Sequence, residues 1–336
     1  MSTSPKRILG GLGIAALSLS ALASCVLPEP QSSDPSTVTS TVTSSSIPSE
    51  GVSADLPNEI REAIAQVEEA TGSRISLAIA SGAETEPKFA GSLAPTQPAW
   101  STIKVPLSIA ALRQDSSLQA VMAQAITQSD NSAAEQLWES LGGGEAAAKA
   151  VEAVLAEAGT PADVPATKFR PQFSPYGQTE WSTGQEATFG AQLAALPGAE
   201  PVLEQMGNVV EGQAYGLGTL RGARFKGGWG PDTNGAYLVR QFGVLPSVGN
   251  MGIAIAVIPA DGTYETGQTV LNKAVAAIEP FLPLLSDAKA SEHATSSSQQ
   301  APELPEQPQQ TTPEPTSVPQ KPNGGAPEGF SSIPAV

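Results

Sequence analysis

Two long segments of this sequence are too poor in large apolar residues to build a core. Residues 25–53 are rich in Ser, Thr and Pro, and residues 286–336 are rich in Pro, Gln and Ser. Such segments cannot bury enough apolar surface to offset the loss of chain entropy on folding. We therefore predict a disordered tether over 25–53, a disordered tail over 286–336 and a single folded domain over 54–285. The sequence contains no internal repeat that would indicate a second domain.

The first residues have the pattern of a secretory signal peptide. A basic start at Lys6 and Arg7 precedes an apolar run from Ile8 to Ala23, and small residues follow. The run is short for a membrane span, because a spanning helix needs about 20 apolar residues. We predict a signal peptide over 1–24.

The end of this segment, Leu22-Ala23-Ser24-Cys25, resembles the lipobox of bacterial lipoproteins. The resemblance implies that Cys25 is diacylated and holds the chain at the extracytoplasmic face of the cell membrane. Two acyl chains give stable attachment where one does not. The alternative is an ordinary signal peptide that happens to contain a cysteine. Cys25 is the only cysteine in the sequence, which favours lipidation.

Composition excludes several catalytic designs. The only histidine, His293, lies in the predicted tail, so a Ser-His-Asp triad and a histidine-ligated zinc site are not expected. The single cysteine argues against thiol catalysis, and no nucleotide-binding glycine motif is present. A net charge of −16 makes nucleic acid a poor partner. We expect no metal and no cofactor, and any nucleophile must be activated by lysine or a carboxylate.

Periodicity predicts an α/β domain. Helical spacing of apolar residues over 56–71 and 101–113, and across most of 118–196, contrasts with strand-like patterns at both ends of the domain. The predicted strands are 74–81, 88–90, 221–230, 235–246 and 251–260, and a last helix covers 266–282. We expect a five-stranded antiparallel sheet flanked by the terminal helices, with a helical block inserted.

Three short motifs follow one another along the domain. Ser101-Thr102-Ile103-Lys104 matches S-x-x-K, Ser129-Asp130-Asn131 matches S-D-N, and Lys226-Gly227-Gly228 stands where K-[TS]-G would occur. In this order they resemble the motifs of class A β-lactamases and penicillin-binding proteins. Each motif alone has a simpler interpretation: Ser101 as a helix cap, Ser132 and Glu135 as a capping box, and Lys226 as a solvated lysine.

The resemblance implies a role for each motif residue. Ser101 would be the nucleophile, Lys104 its base and Ser129 a proton relay to the leaving nitrogen. Asn131 would bind a substrate amide. Lys226, Gly227 and Gly228 would form the substrate-binding strand, and the N–H groups of Ser101 and Trp229 the oxyanion hole.

Helix geometry and electrostatics agree with these roles. Residues three apart share a helix face, so Lys104 is expected to reach the hydroxyl of Ser101. Burial and the positive charge of Lys226 are expected to lower the pKa of Lys104 and leave a neutral amine.

Two departures from the family pattern bear on activity. Gly227 lacks the hydroxyl that the family uses to bind a substrate carboxylate, a loss of about 1.5–3 kcal/mol, or roughly ten- to a hundredfold in affinity. The loop over 160–182 lacks the E-x-x-L-N pattern of class A enzymes, and its only glutamate, Glu180, comes too late in the loop to serve in deacylation. We do not expect an efficient β-lactamase.

The interval from Ser101 to Ser129 is short for a class A enzyme, which indicates a more open cleft suited to peptidoglycan stem peptides. The sequence therefore predicts a membrane-anchored serine acyl-transferase or hydrolase that acts on cell-wall peptide, a β-lactam-like ligand or a related amide or ester. The alternative is a catalytically weak lipoprotein of the same fold that binds envelope material. The oligomeric state is left open.

Overall fold

A computed structural model describes residues 56–81 and 86–285. The predicted signal peptide, tether and tail, together with Cys25, lie outside the described residues. None of the helices in the described ranges is both long and apolar enough to cross a membrane.

The described residues form eight α-helices and seven β-strands. The helices are α1 (Asn58–Thr71), α2 (Lys104–Gln114), α3 (Gln119–Thr127), α4 (Asn131–Ser140), α5 (Gly144–Glu157), α6 (Thr183–Gln192), α7 (Glu200–Gln205) and α8 (Tyr264–Ile278). The strands are β1 (Arg74–Ala80), β2 (Lys88–Ala90), β3 (Thr96–Pro98), β4 (Glu180–Ser182), β5 (Arg224–Pro231), β6 (Tyr237–Leu245) and β7 (Met251–Ile258).

Five strands form the predicted antiparallel sheet, in the order β2-β1-β7-β6-β5. The order follows from the chain path, because the last three strands form a meander whose final strand pairs with β1. The α/β architecture predicted from the sequence is confirmed. A second sheet, formed by β3 and β4, was not predicted, because its strands of three residues show no alternation and, unlike β2, neither lies next to its partner along the chain.

Side-chain size alternates along β1 and separates the two faces of the sheet. The larger residues Ile75, Leu77 and Ile79 pack with α1 and α8, whereas Ala78 and Ala80 face the inserted helices. Successive residues of a strand point to opposite faces, so this alternation buries both. The small residues let a helix approach the second face closely.

That helix is α6. A Cβ added at Gly252 of β7 would lie 1.7 Å from the carbonyl oxygen of Ala187 in α6, and one added at Gly190 would lie 2.4 Å from the carbonyl oxygen of Gly243 in β6. Glycine is required at both contacts, since no side chain fits there. This packing fixes the position of α6 beneath the sheet.

Helix α2 is the centre of the inserted block, and its residues from Lys104 to Leu112 are all buried. A helix that is buried on every side and mostly apolar is typical of a protein interior. The prediction that this helix begins at Ser101 is wrong, because Trp100–Ile103 forms a 3₁₀ turn before α2. Pro106 explains the difference: it has no N–H to donate to the carbonyl of Thr102, so the first turn lacks one α-helical bond.

A buried arginine, Arg240, joins the two sheets. Arg240 of β6 contacts Glu186 of α6, and neither side chain is exposed. The guanidinium also donates hydrogen bonds to the carbonyl oxygens of Gln97, Pro98 and Trp181, at 2.9, 2.9 and 3.0 Å. Burial raises the pKa of Glu186, and the charge of Arg240 opposes that rise. Sequence patterns gave no sign of this pair.

We predict that Glu186→Ala lowers the free energy of unfolding by about 3–5 kcal/mol, because it leaves a buried arginine without its counter-charge. Glu157→Ala is the matched control, since Glu157 pairs with Arg113 at 2.6 Å on the surface and such a pair contributes about 0–1 kcal/mol. Denaturant unfolding of both variants checks the prediction. Equal losses would contradict it.

Candidate active site

Ser101 lies in the 3₁₀ turn that precedes α2, directly after a residue with an unusual backbone. Trp100 has a φ of 52°, a conformation that costs a bulky residue about 1–3 kcal/mol. Its indole fills a slot above Gly230, where an added Cβ would lie 2.5 Å from the ring. Phe173 packs edge-on against the indole, with the ring centroids 4.9 Å apart. These contacts hold the turn in place.

The hydroxyl of Ser101 does not cap a helix. Neither the 3₁₀ turn nor α2 has a side-chain cap. The Ser101 side chain is partly exposed and lines a cavity of about 600 Å³, which is large enough for a ligand. The interpretation of Ser101 as a helix cap is therefore wrong.

The second motif forms the start of α4. Asp130 is the N-cap, and its carboxylate accepts a hydrogen bond from the N–H of Ala133 at 2.7 Å. A capping box of Ser132 and Glu135 is therefore not formed. Ser129 precedes the cap with a φ of 56°, so two of the three non-glycine residues with positive φ in the described chain belong to this site.

Lys104 reaches the second motif from α2. Its Nζ donates to the Ser129 carbonyl oxygen at 2.7 Å and to Asn131 Oδ1 at 2.8 Å. The Ser129 hydroxyl is 3.4 Å away. The amine makes no hydrogen bond to Ser101, so the contact predicted from the helical spacing is absent in this conformation. Burial lowers the pKa of Lys104 to about 7, against the opposing charge of Asp130.

Lys226 reaches the same hydroxyl from β5. Its Nζ lies 2.9 Å from Ser129 Oγ and 2.8 Å from the Gly227 carbonyl oxygen. Burial lowers the pKa of Lys226 well below its usual value, and the charge of Lys104 lowers it further. Two buried amines that share one hydroxyl cannot both keep a proton without a large penalty, so a neutral amine is available near pH 7.

Strand β5 lies directly against the turn of Ser101. A Cβ added at Gly228 would lie 2.8 Å from the Ala99 carbonyl oxygen and 2.9 Å from the Ser101 nitrogen. At Gly227 the nearest atoms to an added Cβ are 3.8 Å away. Glycine is therefore required at position 228, where the strand backbone meets the backbone of Ser101, and not at position 227.

The cavity brings together most of the residues that the motifs singled out. Ser101, Lys104, Ser129, Asn131 and Trp229 all line it. The other three do not: Lys226 lies behind Ser129, and Gly227 and Gly228 are buried within β5.

Sequence reasoning missed several polar residues of the same cavity, among them Glu135 and Tyr176. The available signal for Glu135 was its position four residues after Asn131, which puts both on one face of a helix. Glu180 is exposed on β4 and does not line the cavity, as its late position in the loop indicated. Across the described ranges, His, Cys, Asp and Glu residues form no group of three that is able to hold a metal ion.

Comparison with solved structures finds the same fold in class A β-lactamases. A crystal structure of the TLA-1 extended-spectrum β-lactamase matches 67% of this chain and 99% of its own, with a TM-score of 0.54 and 13% identity. A β-lactamase from Chitinophaga pinensis matches 66% and 98%, with a TM-score of 0.52 and 16% identity. An ancestral class A β-lactamase gives a TM-score of 0.51 at 17% identity, over 66% and 99%.

Sequence comparison adds nothing to this: no protein-family model matches the chain, and no curated protein does. The identities to the solved structures are low, so the likeness concerns the fold. The described residues have the fold of class A β-lactamases, as the three motifs predicted.

We predict that Gly228→Ala lowers the free energy of unfolding by about 1–3 kcal/mol, because the new methyl group overlaps backbone atoms of the Ser101 turn. Gly227→Ala, one residue away on the same strand, is expected not to lower it, because the nearest atoms to the new methyl group lie 3.8 Å away and alanine restricts the unfolded chain more than glycine does. Denaturant unfolding of the pair distinguishes them. If Gly228→Ala were as well tolerated as Gly227→Ala, the close approach of the strand would be wrong.

Proposed function

We propose that this protein is a serine acyl-transferase or hydrolase that forms an acyl-enzyme on Ser101. The observation that carries the proposal is the Lys104 amine: it is buried, its pKa is lowered to about 7, and it lines one cavity with Ser101, Ser129 and Asn131. A lysine acts as a base only when it is neutral, and near pH 7 this one is poised to accept a proton.

In the proposed reaction the Ser101 hydroxyl oxygen attacks the substrate carbonyl carbon while its proton passes to Lys104. Ser101 and Lys104 make no hydrogen bond in this conformation. This agrees with the step, because catalytic hydrogen bonds often tighten only when substrate binds. Ser129 relays the proton from Lys104 to the leaving nitrogen as the carbon–nitrogen bond breaks. Lys226 holds the Ser129 hydroxyl at 2.9 Å for this transfer.

The developing negative charge on the substrate oxygen needs hydrogen-bond donors, and two backbone N–H groups are well placed. Ser101 lies in the first turn of a helix, where backbone N–H groups have no partner within the helix. Trp229 follows Gly228, whose backbone meets the Ser101 nitrogen. We assign the oxyanion hole to the N–H groups of Ser101 and Trp229. The amide of Asn131 lines the cavity beside them and binds the substrate amide.

We propose cell-wall peptide, or a related amide or ester, as the substrate class. A cavity of about 600 Å³ beside exposed Asn131 leaves room for an extended chain. The lipobox-like sequence at Cys25 supports attachment to the outer face of the cell membrane, where such peptides are found. Because Gly227 carries no hydroxyl and Glu180 lies outside the cavity, we do not assign efficient β-lactamase activity.

The test is acylation of the full-length chain by a fluorescent penicillin, followed by intact mass. We expect a covalent adduct on the wild type and none on Ser101→Ala. Ser132→Ala is the matched control, because Ser132 lines the same cavity but has no role in the proposed reaction. An adduct that persists on Ser101→Ala, or the lack of one on folded wild-type protein, would refute the proposal.

A further inference from the structure

Rapid hydrolysis of an acyl-enzyme requires a base that activates water beside the ester, and the loop over 160–182 lacks the E-x-x-L-N pattern that supplies this base in class A enzymes. Among the described residues that line the cavity, Glu135 is the only carboxylate. It lies on α4 one turn after Asn131, whose Oδ1 accepts a hydrogen bond from Lys104 at 2.8 Å. Residues four apart share a helix face, so Glu135 lies on the side of α4 that carries the motif.

Tyr176 fixes the orientation of this carboxylate. Its hydroxyl donates a hydrogen bond to Glu135 Oε2 at 3.4 Å, and its ring packs against Trp138 with the centroids 5.1 Å apart. Burial and the charge of Glu135 raise the pKa of Tyr176, so the phenol keeps its proton and remains a donor. The other oxygen, Oε1, has no hydrogen-bond partner among the described residues, which leaves it able to accept one from water.

The chain segment that carries Tyr176 also contacts the turn of the nucleophile. A Cβ added at Gly177 would lie 3.6 Å from the Trp100 carbonyl oxygen and 3.8 Å from its Cα. Tyr176 therefore holds Glu135, and the next residue, Gly177, lies against Trp100, which precedes Ser101. The Glu135 carboxylate and the Ser101 hydroxyl line the same cavity. The contacts of Tyr176 with Glu135 and of Gly177 with Trp100 connect the two sides.

We propose that Glu135 is the base that activates water for hydrolysis of the acyl-enzyme, a role that rests on the proposed function of Ser101. Water donates a proton to the Glu135 carboxylate as its oxygen bonds to the acyl carbonyl carbon. The bond from that carbon to Ser101 Oγ then breaks, and the proton passes from Glu135 to the serine oxygen. The products are a free acid and the original hydroxyl, with no further reactant.

The experiment measures acylation and deacylation separately on the full-length chain. Fluorescent penicillin is added and then removed, and intact mass follows the appearance and loss of the adduct. We expect Glu135→Gln to slow the loss of the adduct by about a hundredfold or more, the usual contribution of a general base. Adduct formation still proceeds, because that step uses Lys104. Tyr176→Phe, which removes only the orienting hydroxyl, is expected to slow the loss by a smaller factor.

Glu139→Gln is the matched control, since Glu139 is exposed one turn further along α4 and does not line the cavity. Its adduct should decay at the wild-type rate. If the Glu135→Gln adduct forms and decays at that rate too, the assignment of Glu135 is wrong although Ser101 is still the nucleophile. If no adduct forms on folded wild-type protein, both proposals are wrong.

Discussion

The site depends on the burial of two lysine amines around one hydroxyl. Lys104 comes from the central helix α2, Lys226 from the edge strand β5, and Ser129 from the connection between α3 and α4. Desolvation lowers the pKa of both amines, and the charge of Lys104 lowers the pKa of Lys226 further. A neutral amine near pH 7 is therefore a consequence of how the helical block packs against the sheet. Burial is the cause that lowers the pKa of Lys104.

Several contacts hold the nucleophile close to these amines. The glycine at position 228 lets β5 meet the turn of Ser101, and Arg240 attaches the small second sheet, which leads into that turn, to the main sheet. Two residues with a strained backbone, Trp100 and Ser129, line the cavity that holds Ser101 and Lys104. Strain persists only where surrounding contacts overdetermine the backbone, and it concentrates at functional sites. Its position here supports the assignment of the cavity as the active site.

Much of this arrangement could be predicted from the sequence, because side-chain periodicity and motif order are local signals. The five strands and the order of Ser101, Ser129 and Lys226 were predicted in this way. The 3₁₀ turn and the positive φ of Trp100 were not, because they depend on contacts with residues distant in the sequence, such as Gly230. The Glu186–Arg240 pair has no sequence pattern at all. Glu135 carried a helical-spacing signal, but a capping role was the simpler interpretation.

The proposed reaction requires that Lys104 be neutral near physiological pH, and a titration measures this directly. Lysines labelled with carbon-13 at Cε report their protonation by chemical shift, and comparison with Lys104→Met assigns the signal. We predict that this signal titrates with an apparent pKa of about 7 in the full-length chain. A signal that titrates near 10.5, the value of an exposed lysine, would show that the amine is charged at neutral pH and does not serve as the base.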